Sequence, residues 1–99
     1  MADTPVIEQV DGRLRVSGPV TLSHVQSLLD QSRQVFIATD LRIDLSGVSE
    51  ADSSAVALML DWAREATARG ARICFENLSE NLRTLISLYD VGEFLPACA

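Results

Sequence analysis

The chain has 99 residues, of which 47% are hydrophobic and 22% charged, and its formal net charge at pH 7 is −6. This composition is typical of a globular protein rather than a disordered one, and the length predicts one domain, residues 1–99, with one core and little room for a deep substrate cavity. The negative charge repels phosphate backbones and anionic lipid headgroups, which disfavours nucleic acid and membrane surfaces as partners.

Residues 6–18 are predicted to form a β-hairpin. The pair Asp11-Gly12 is a strong signal for a two-residue turn between two strands. Apolar residues alternate with arginines after the turn, so one face of the second strand is expected to be wet. The pair Gly18-Pro19 is expected to end that strand.

Three helices and two strands are predicted to alternate after the hairpin. Apolar residues at helical spacing indicate the helices, and short alternating or apolar runs indicate the strands. Strands separated by helices favour right-handed parallel crossovers, so the opening hairpin makes the sheet mixed. The predicted fold is therefore an α/β domain with a mixed β-sheet, an N-terminal hairpin and about three to four helices. The helices are expected at 21–38, 53–70 and 78–90, and the strands at 40–48 and 71–77.

Two helix ends carry local signals. Ser23, with Gln26 three residues later, matches a capping box at the start of the first helix. Gly70 is placed to end the second helix as a C-terminal cap. The inward stripe of the first helix is predicted to consist of Val25, Leu28, Leu29 and Ser32.

The stretch DLSGVSEADSSAVALML, residues 44–60, joins an apolar strand to an apolar helix through polar residues. A helix start leaves four backbone N–H groups unpaired, and Asp52 or Ser53 can accept from them as the N-cap. One cap explains one of these residues but not the run Asp52, Ser53 and Ser54. A hydroxyl in the first turn of a helix that follows a strand lies at the sheet edge where open α/β folds place their sites. Phosphorylation there would add about −1.5 to −2 charge and would place a large anion in the middle of any docking surface.

The longer stretch IDLSGVSEADSSAVALML resembles the signature of STAS domains. In that family a strand ending Asp-Leu-Ser is followed by a short loop and then by Asp-Ser/Thr-Ser/Thr-Gly at the start of an apolar helix. The predicted order of strands and helices is also similar to that family over nearly the whole chain. The resemblance implies a STAS-like fold, with Ser53 as the phosphorylatable or partner-sensing hydroxyl and Asp52 as its preceding acid. The sequence departs from the family at Ala55, where the family usually has Gly, and the added methyl group would hold a partner's backbone farther away.

Two branches of the family compete. One consists of anti-sigma factor antagonists, which an anti-sigma factor kinase phosphorylates, here at Ser53. The other is the small MlaB-type subunit of the Mla phospholipid ABC transporter. The short chain, a first helix without extra elements and the ending LISLYDVGEFLP, similar to the Leu-Tyr…Leu-Pro close of MlaB-type proteins, favour the second branch. That resemblance implies a non-catalytic cytoplasmic subunit, held at the inner face of the inner membrane through the ABC transporter ATPase, that supports the maintenance of outer-membrane lipid asymmetry.

The second helix has a wider apolar arc than one contact with a sheet requires. One side of it is assigned to the sheet, and a further apolar shoulder faces either a neighbouring helix or a partner. Cover from within the chain is the expectation for Ala66, whereas Leu58 and Trp62 are left open between core edge and interface. The candidate partner-binding residues are Asp52, Ser53, Ser54, Ala55, Leu58 and Trp62.

Enzyme and cofactor alternatives find little support. A serine hydrolase needs a base within reach of its nucleophile, but His24 is the only histidine and EADSSAV is not a G-x-S-x-G elbow. One histidine and two distant cysteines do not make a metal site. All eight basic residues are arginines and the glycines are isolated, so neither a P-loop lysine nor a phosphate-cradling loop is present. We therefore expect no enzyme activity, no cofactor and no metal.

The cysteines and the apolar runs bear on location. Cys74 is expected to be a buried thiol and Cys98 a free thiol near the end of the chain, because a disulfide framework would need more cysteines and a secretory context. The N-terminus lacks the apolar core of a signal peptide, and no apolar run approaches the roughly 18 residues of a membrane span. These features predict a cytoplasmic protein with no direct membrane insertion.

Overall fold

The computed structural model describes residues 4–98, which form four strands and three α-helices. Two short 3-10 turns, Leu22–His24 and Gly92–Phe94, precede the first helix and follow the last one. No helix in this part of the chain is both long and apolar enough to cross a bilayer. In chain order the elements are β1 (Val6–Val10), β2 (Arg13–Val20), α1 (Val25–Val35), β3 (Asp40–Ala51), α2 (Ser53–Ala68), β4 (Arg72–Glu76) and α3 (Glu80–Tyr89).

The strands form one mixed sheet, as the sequence predicts, and their order in it is β1-β2-β3-β4. β1 and β2 are antiparallel across the Asp11-Gly12 turn, whereas β2–β3 and β3–β4 are parallel. Alternate residues of β2, β3 and β4 are buried in the core that the helices cover. The core side chains of the sheet are Ile7, Leu14, Val16, Val20, Leu41, Ile43, Leu45 and Phe75.

The other face of the sheet is polar and carries ion pairs. Glu76 on β4 lies between Arg13 of β2 and Arg42 of β3, with Arg13 Nε 3.2 Å from its Oε2. Asp40 and Arg72 pair across β3 and β4 at 2.9 Å. The arginines of these pairs are largely exposed, whereas the Glu76 side chain is 14% exposed, so this face is polar and partly solvated rather than part of the apolar core.

β2 and β3 both run farther than the sequence predicts, because they pair with each other past the end of β4. Two register shifts, one on either side of the Ser17–Gly18 segment of β2, accommodate the Gly18-Pro19 pair, which therefore does not end the strand. A Cβ atom on Gly47 would lie 2.5 Å from Ser17 Oγ, so glycine permits the two backbones to approach here. The continued pairing carries β3 to Ala51, where the sequence predicts a loop.

The predicted capping box at Ser23 is wrong. α1 begins at Val25 with His24 as its N-cap, and no side chain makes a cap hydrogen bond there. The local polar contact is instead between Thr21 Oγ1 and His24 Nδ1, 3.0 Å apart, because Leu22–His24 forms a 3-10 turn in place of the first helical turn. The predicted cap at Gly70 is confirmed: this residue has a φ of +73° and follows the last turn of α2.

The expectation of two free cysteines is also wrong, because Cys74 and Cys98 form a disulfide. The tail after α3 turns back along the outer edge of β4. There the Phe75 N–H donates to the Pro96 carbonyl at 2.8 Å, and the Cys98 N–H donates to the Phe75 carbonyl at 3.0 Å. This short parallel pairing brings the two Cα atoms to 4.8 Å, within disulfide reach.

The structure corrects the expectation for the apolar shoulder of α2. Ala55, Leu58 and Trp62 are each only 2% exposed, so none of them presents a surface to a partner. Trp62 packs against Phe36 with ring centroids 5.1 Å apart, and the burial of Ala66 confirms the cover expected from within the chain. The helix is buried on a wide arc because both α1 and α3 pack beside it.

We expect Leu58→Ala to destabilise the isolated protein by about 2–5 kcal/mol, since it removes a fully buried side chain and leaves a cavity. Leu22→Ala makes the same chemical change at a residue that is 78% exposed, and it should shift the free energy of unfolding by less than about 0.5 kcal/mol. Urea unfolding of both variants measures the difference. Equal small effects would show that Leu58 is not a core residue.

Candidate functional site

The candidate site lies at the junction between β3 and α2. β3 ends at Ala51 and α2 begins at Ser53, so a single residue, Asp52, makes the connection. This is the C-terminal edge of the parallel strands, where open α/β sheets place their sites. The extended pairing of β2 with β3 fixes the position of that edge.

Asp52 uses its two carboxylate oxygens on two different backbone segments. Oδ1 accepts a hydrogen bond from the Ser54 N–H at 2.8 Å, and the Asp52 carbonyl accepts from the Ala55 N–H at 3.0 Å. Oδ2 accepts from the Leu22 N–H at 3.2 Å. Of the two N-cap candidates, Asp52 and Ser53, the structure therefore selects Asp52, and the same side chain also anchors the turn before α1.

The pKa of Asp52 is lowered below its ordinary value. Burial alone would raise this pKa, but the hydrogen bonds donated by Ser54 and Leu22 together outweigh it. The carboxylate is thus ionised at neutral pH, and its charge lies at the positive end of the α2 dipole.

The hydroxyl-bearing residues that follow Asp52 differ in exposure. Ser53 is exposed in the first turn of α2, and Ser54 is half-buried. Leu22 is brought beside them by its hydrogen bond to Asp52 and is 78% exposed. We call Leu22, Asp52, Ser53 and Ser54 the helix-tip surface; it includes an exposed apolar residue, Leu22, and an exposed hydroxyl residue, Ser53.

The first turn of α3 lies against the same edge. Asn81 Nδ2 donates to the Ala51 carbonyl at 3.0 Å, which ties α3 to the last residue of β3. Glu80, next to Asn81, and Glu50, next to Ala51, are both exposed. Together with Asp52 they give the neighbourhood of the helix tip a negative character, which suits a basic patch on a partner.

The geometry fits recognition better than nucleophilic catalysis. The only histidine, His24, has its Nδ1 3.0 Å from Thr21 Oγ1 and is engaged there. No group of three His, Cys, Asp or Glu side chains within residues 4–98 is arranged as metal ligands would be. What the helix tip offers is a solvent-facing hydroxyl that can be contacted or phosphorylated, with an acid fixed next to it.

Of the six residues predicted for the site, the structure brings Asp52, Ser53 and Ser54 together at the surface and buries Ala55, Leu58 and Trp62. The sequence did not predict a role for Leu22 or Asn81. Leu22 lies in the 3-10 turn before α1, and Asn81 lies in the first turn of α3. Leu22 has helical spacing to Val25 and Leu29 of the inward stripe, so the sequence pattern favours a buried position for it; the 3-10 turn leaves it exposed instead. Nothing local in the sequence indicates the contact between Asn81 and Ala51.

Comparison with known families gives a match over nearly the whole chain. The family described as "Mlab, STAS domain" matches residues 4–96. None of the curated proteins matches the chain significantly.

Solved structures share the fold at low sequence identity. The anti-sigma factor antagonist SpoIIAA in its unphosphorylated form superposes with a TM-score of 0.71 at 22% identity, covering 97% of this chain and 89% of that one. The Bacillus cell fate determinant SpoIIAA in its phosphorylated form gives a TM-score of 0.64 at 20% identity, covering 97% of this chain and 92% of that one. A structure of Mglu gives 0.56 at 20% identity, covering 75% of this chain but 19% of that one. These likenesses confirm the predicted STAS-like α/β fold.

We expect Asp52→Ala to lower the free energy of unfolding at pH 7 by about 0.5–2 kcal/mol, because it removes an N-cap. Since the folded-state pKa of Asp52 is lowered, its contribution is fully present above the unfolded pKa of about 3.9 and is lost as the pH falls through the folded value. Urea unfolding of the native protein and the variant at pH 7 and at acidic pH should therefore give a difference that shrinks on acidification. A difference that stays constant with pH would contradict this assignment.

Proposed function

The chain belongs to the STAS domain family, in the group described as Mlab, and from that premise we propose that it is a non-catalytic subunit of an Mla-type phospholipid-transport ABC complex. It binds the ATPase of that complex and supports its assembly or activity in the maintenance of outer-membrane lipid asymmetry. Its proposed location is the cytoplasm, at the inner face of the inner membrane through that partner.

One observation carries the proposal: Ser53 is exposed in the first turn of α2, and the exposed residue Leu22 is held to the same helix start by its backbone hydrogen bond to Asp52. An apolar side chain beside a small neutral hydroxyl is a surface that another protein can cover without burying an unpaired charge. Asp52 ties the first turn of α2 to the turn before α1, because its two carboxylate oxygens accept from the Ser54 and Leu22 N–H groups, so the surface is preformed rather than assembled on binding.

Electrostatics supports a basic partner. The net charge is −6, and Glu50, Asp52 and Glu80 surround the helix tip. Charge complementarity of this kind raises the association rate and fixes orientation more than it adds affinity. The affinity of the contact is then expected to depend on Leu22 and on the small, neutral side chain of Ser53.

A second candidate is an anti-sigma factor antagonist that a kinase switches by phosphorylation at Ser53. The fold similarity to SpoIIAA in both its unphosphorylated and phosphorylated forms favours it. A phosphate on Ser53 would be attracted by the N–H groups at the start of α2 and opposed by Glu50 and Asp52. In this candidate the partner is the anti-sigma factor kinase, and the phosphate removes it from the helix tip.

We predict that Ser53→Glu weakens binding to the cognate ABC ATPase at least about tenfold, because the larger side chain holds the partner away from the helix tip and its carboxylate must be desolvated at the centre of the contact. Ser53→Ala is the matched control; it keeps a small neutral side chain and should bind within about threefold of the native protein. Co-purification followed by calorimetric titration with the ATPase measures both. The proposal would be contradicted if Ser53→Glu bound the ATPase as tightly as the native protein does. It would also be contradicted if the native protein did not bind the ATPase.

The second candidate has its own test. Incubation with the cognate anti-sigma factor kinase and ATP should add the mass of one phosphate to the native protein and none to Ser53→Ala. An unchanged mass of the native protein would remove this candidate. Phosphate on another residue, with Ser53→Ala still modified, would remove Ser53 from the switch.

A further inference from the structure

The segment between the two cysteines is held unevenly: α3 packs on the core through several buried or half-buried apolar side chains, whereas the tail after Val91 has Leu95 alone as its buried residue among those described. Cys74 and Cys98 are 24 residues apart, and the disulfide closes a loop that contains α3 and the tail. Leu82 is the buried residue of α3, and Leu95 is the buried residue of the tail after it. Leu88, Tyr89 and Phe94 are all large, apolar and exposed.

The tail itself makes two backbone hydrogen bonds to β4, both through Phe75. The residues on either side of Leu95, namely Phe94 and Pro96, are exposed. With so little buried area, the disulfide is the strongest tie between the tail and the edge of β4.

Both cysteines are half-buried rather than sealed in the core, so a small thiol or disulfide has access to the bond. Cys74 lies on the edge strand β4, and Cys98 lies on the tail that covers that edge. Opening the bond therefore requires no disruption of the core.

We propose that the Cys74–Cys98 disulfide is a redox latch that holds the tail on the outer edge of β4, and that its reduction releases the tail and loosens the end of α3 that leads into it. Closing the latch is a thiol–disulfide exchange with a small-molecule disulfide of the glutathione class. One cysteine thiolate attacks a sulfur of that disulfide and expels one thiol, and the second thiolate attacks the mixed disulfide and expels another. Two electrons leave the protein, the two protons of its thiols pass to the released thiols, and a dithiol reverses the reaction.

Reduction has a defined structural consequence. Release of the tail leaves the Phe75 N–H and carbonyl of the β4 edge without the Cys98 and Pro96 groups that pair with them. Intracellular glutathione keeps thiols reduced, so at the proposed cytoplasmic location the open form is the resting state and oxidation is the signal. This assignment of resting state rests on the proposed function, whereas the latch itself does not.

Hydrogen exchange followed by mass spectrometry tests the latch on the full-length protein. After dithiothreitol treatment, amides of residues 92–98 should exchange about tenfold faster or more than in the oxidised protein, with a smaller increase in α3 and no change in β2 and β3. Cys98→Ser should exchange like the reduced native protein in every buffer. Equal exchange in the oxidised and reduced proteins would overturn the proposal, because the tail would then be held without the bond.

A second measurement follows the bond directly. In buffers of increasing ratio of oxidised to reduced glutathione, the mass of the folded protein should fall by two hydrogens as the disulfide forms, and Cys98→Ser should show no such loss. A native protein whose mass does not respond, or whose disulfide resists dithiothreitol until the protein unfolds, would contradict a latch. Both measurements use the protein alone, so their outcome is independent of ATPase binding.

Discussion

The candidate site depends on one carboxylate that serves two backbone segments. Asp52 Oδ1 caps α2 through the Ser54 N–H, and Oδ2 takes the Leu22 N–H from the turn before α1. A hydroxyl residue at this position could accept through one oxygen only, and an asparagine would lose the second acceptor together with the charge. The choice of aspartate therefore sets both the start of the helix and the position of the apolar side chain next to Ser53.

The position of the Asp52 carboxylate is set by the length of β3. β3 continues for seven residues beyond Asp44, the last residue that pairs with β4, and β2 is the strand that pairs with it there. Gly47 permits the close approach to Ser17 that this pairing needs. The Asp-Leu-Ser-Gly stretch of the sequence thus has a mechanical role: it extends a two-stranded ribbon past the sheet and places the start of α2 at its end.

The features that could be predicted from sequence are those whose cause is local. The Asp11-Gly12 turn, the cap at Gly70 and the N-cap at Asp52 each depend on a few neighbouring residues, and all three are present. The length of β3 and the disulfide depend instead on which segments meet in space. From sequence, the pair Gly18-Pro19 predicts a strand end, because its bulged pairing with β3 is not visible there. In the same way Cys98 is predicted to be a free thiol, because only the fold brings the tail beside β4. The shoulder of α2 was ambiguous for the same reason, since only packing against α1 and α3 decides whether Trp62 is core or interface.

The helix tip and the disulfide lie at different places in the fold, but α3 adjoins both. Its first turn donates from Asn81 to the Ala51 carbonyl, and its last turn leads into the tail that Cys98 fixes. Under the two proposals, a redox change at the tail would reach the helix tip through α3, by way of its packing against α2 and of the Asn81–Ala51 hydrogen bond. That hydrogen bond by itself is worth about 1 kcal/mol, or about fivefold in partner affinity. A phosphate on Ser53 would instead act at the proposed contact, so it needs no structural link through α3 to change binding.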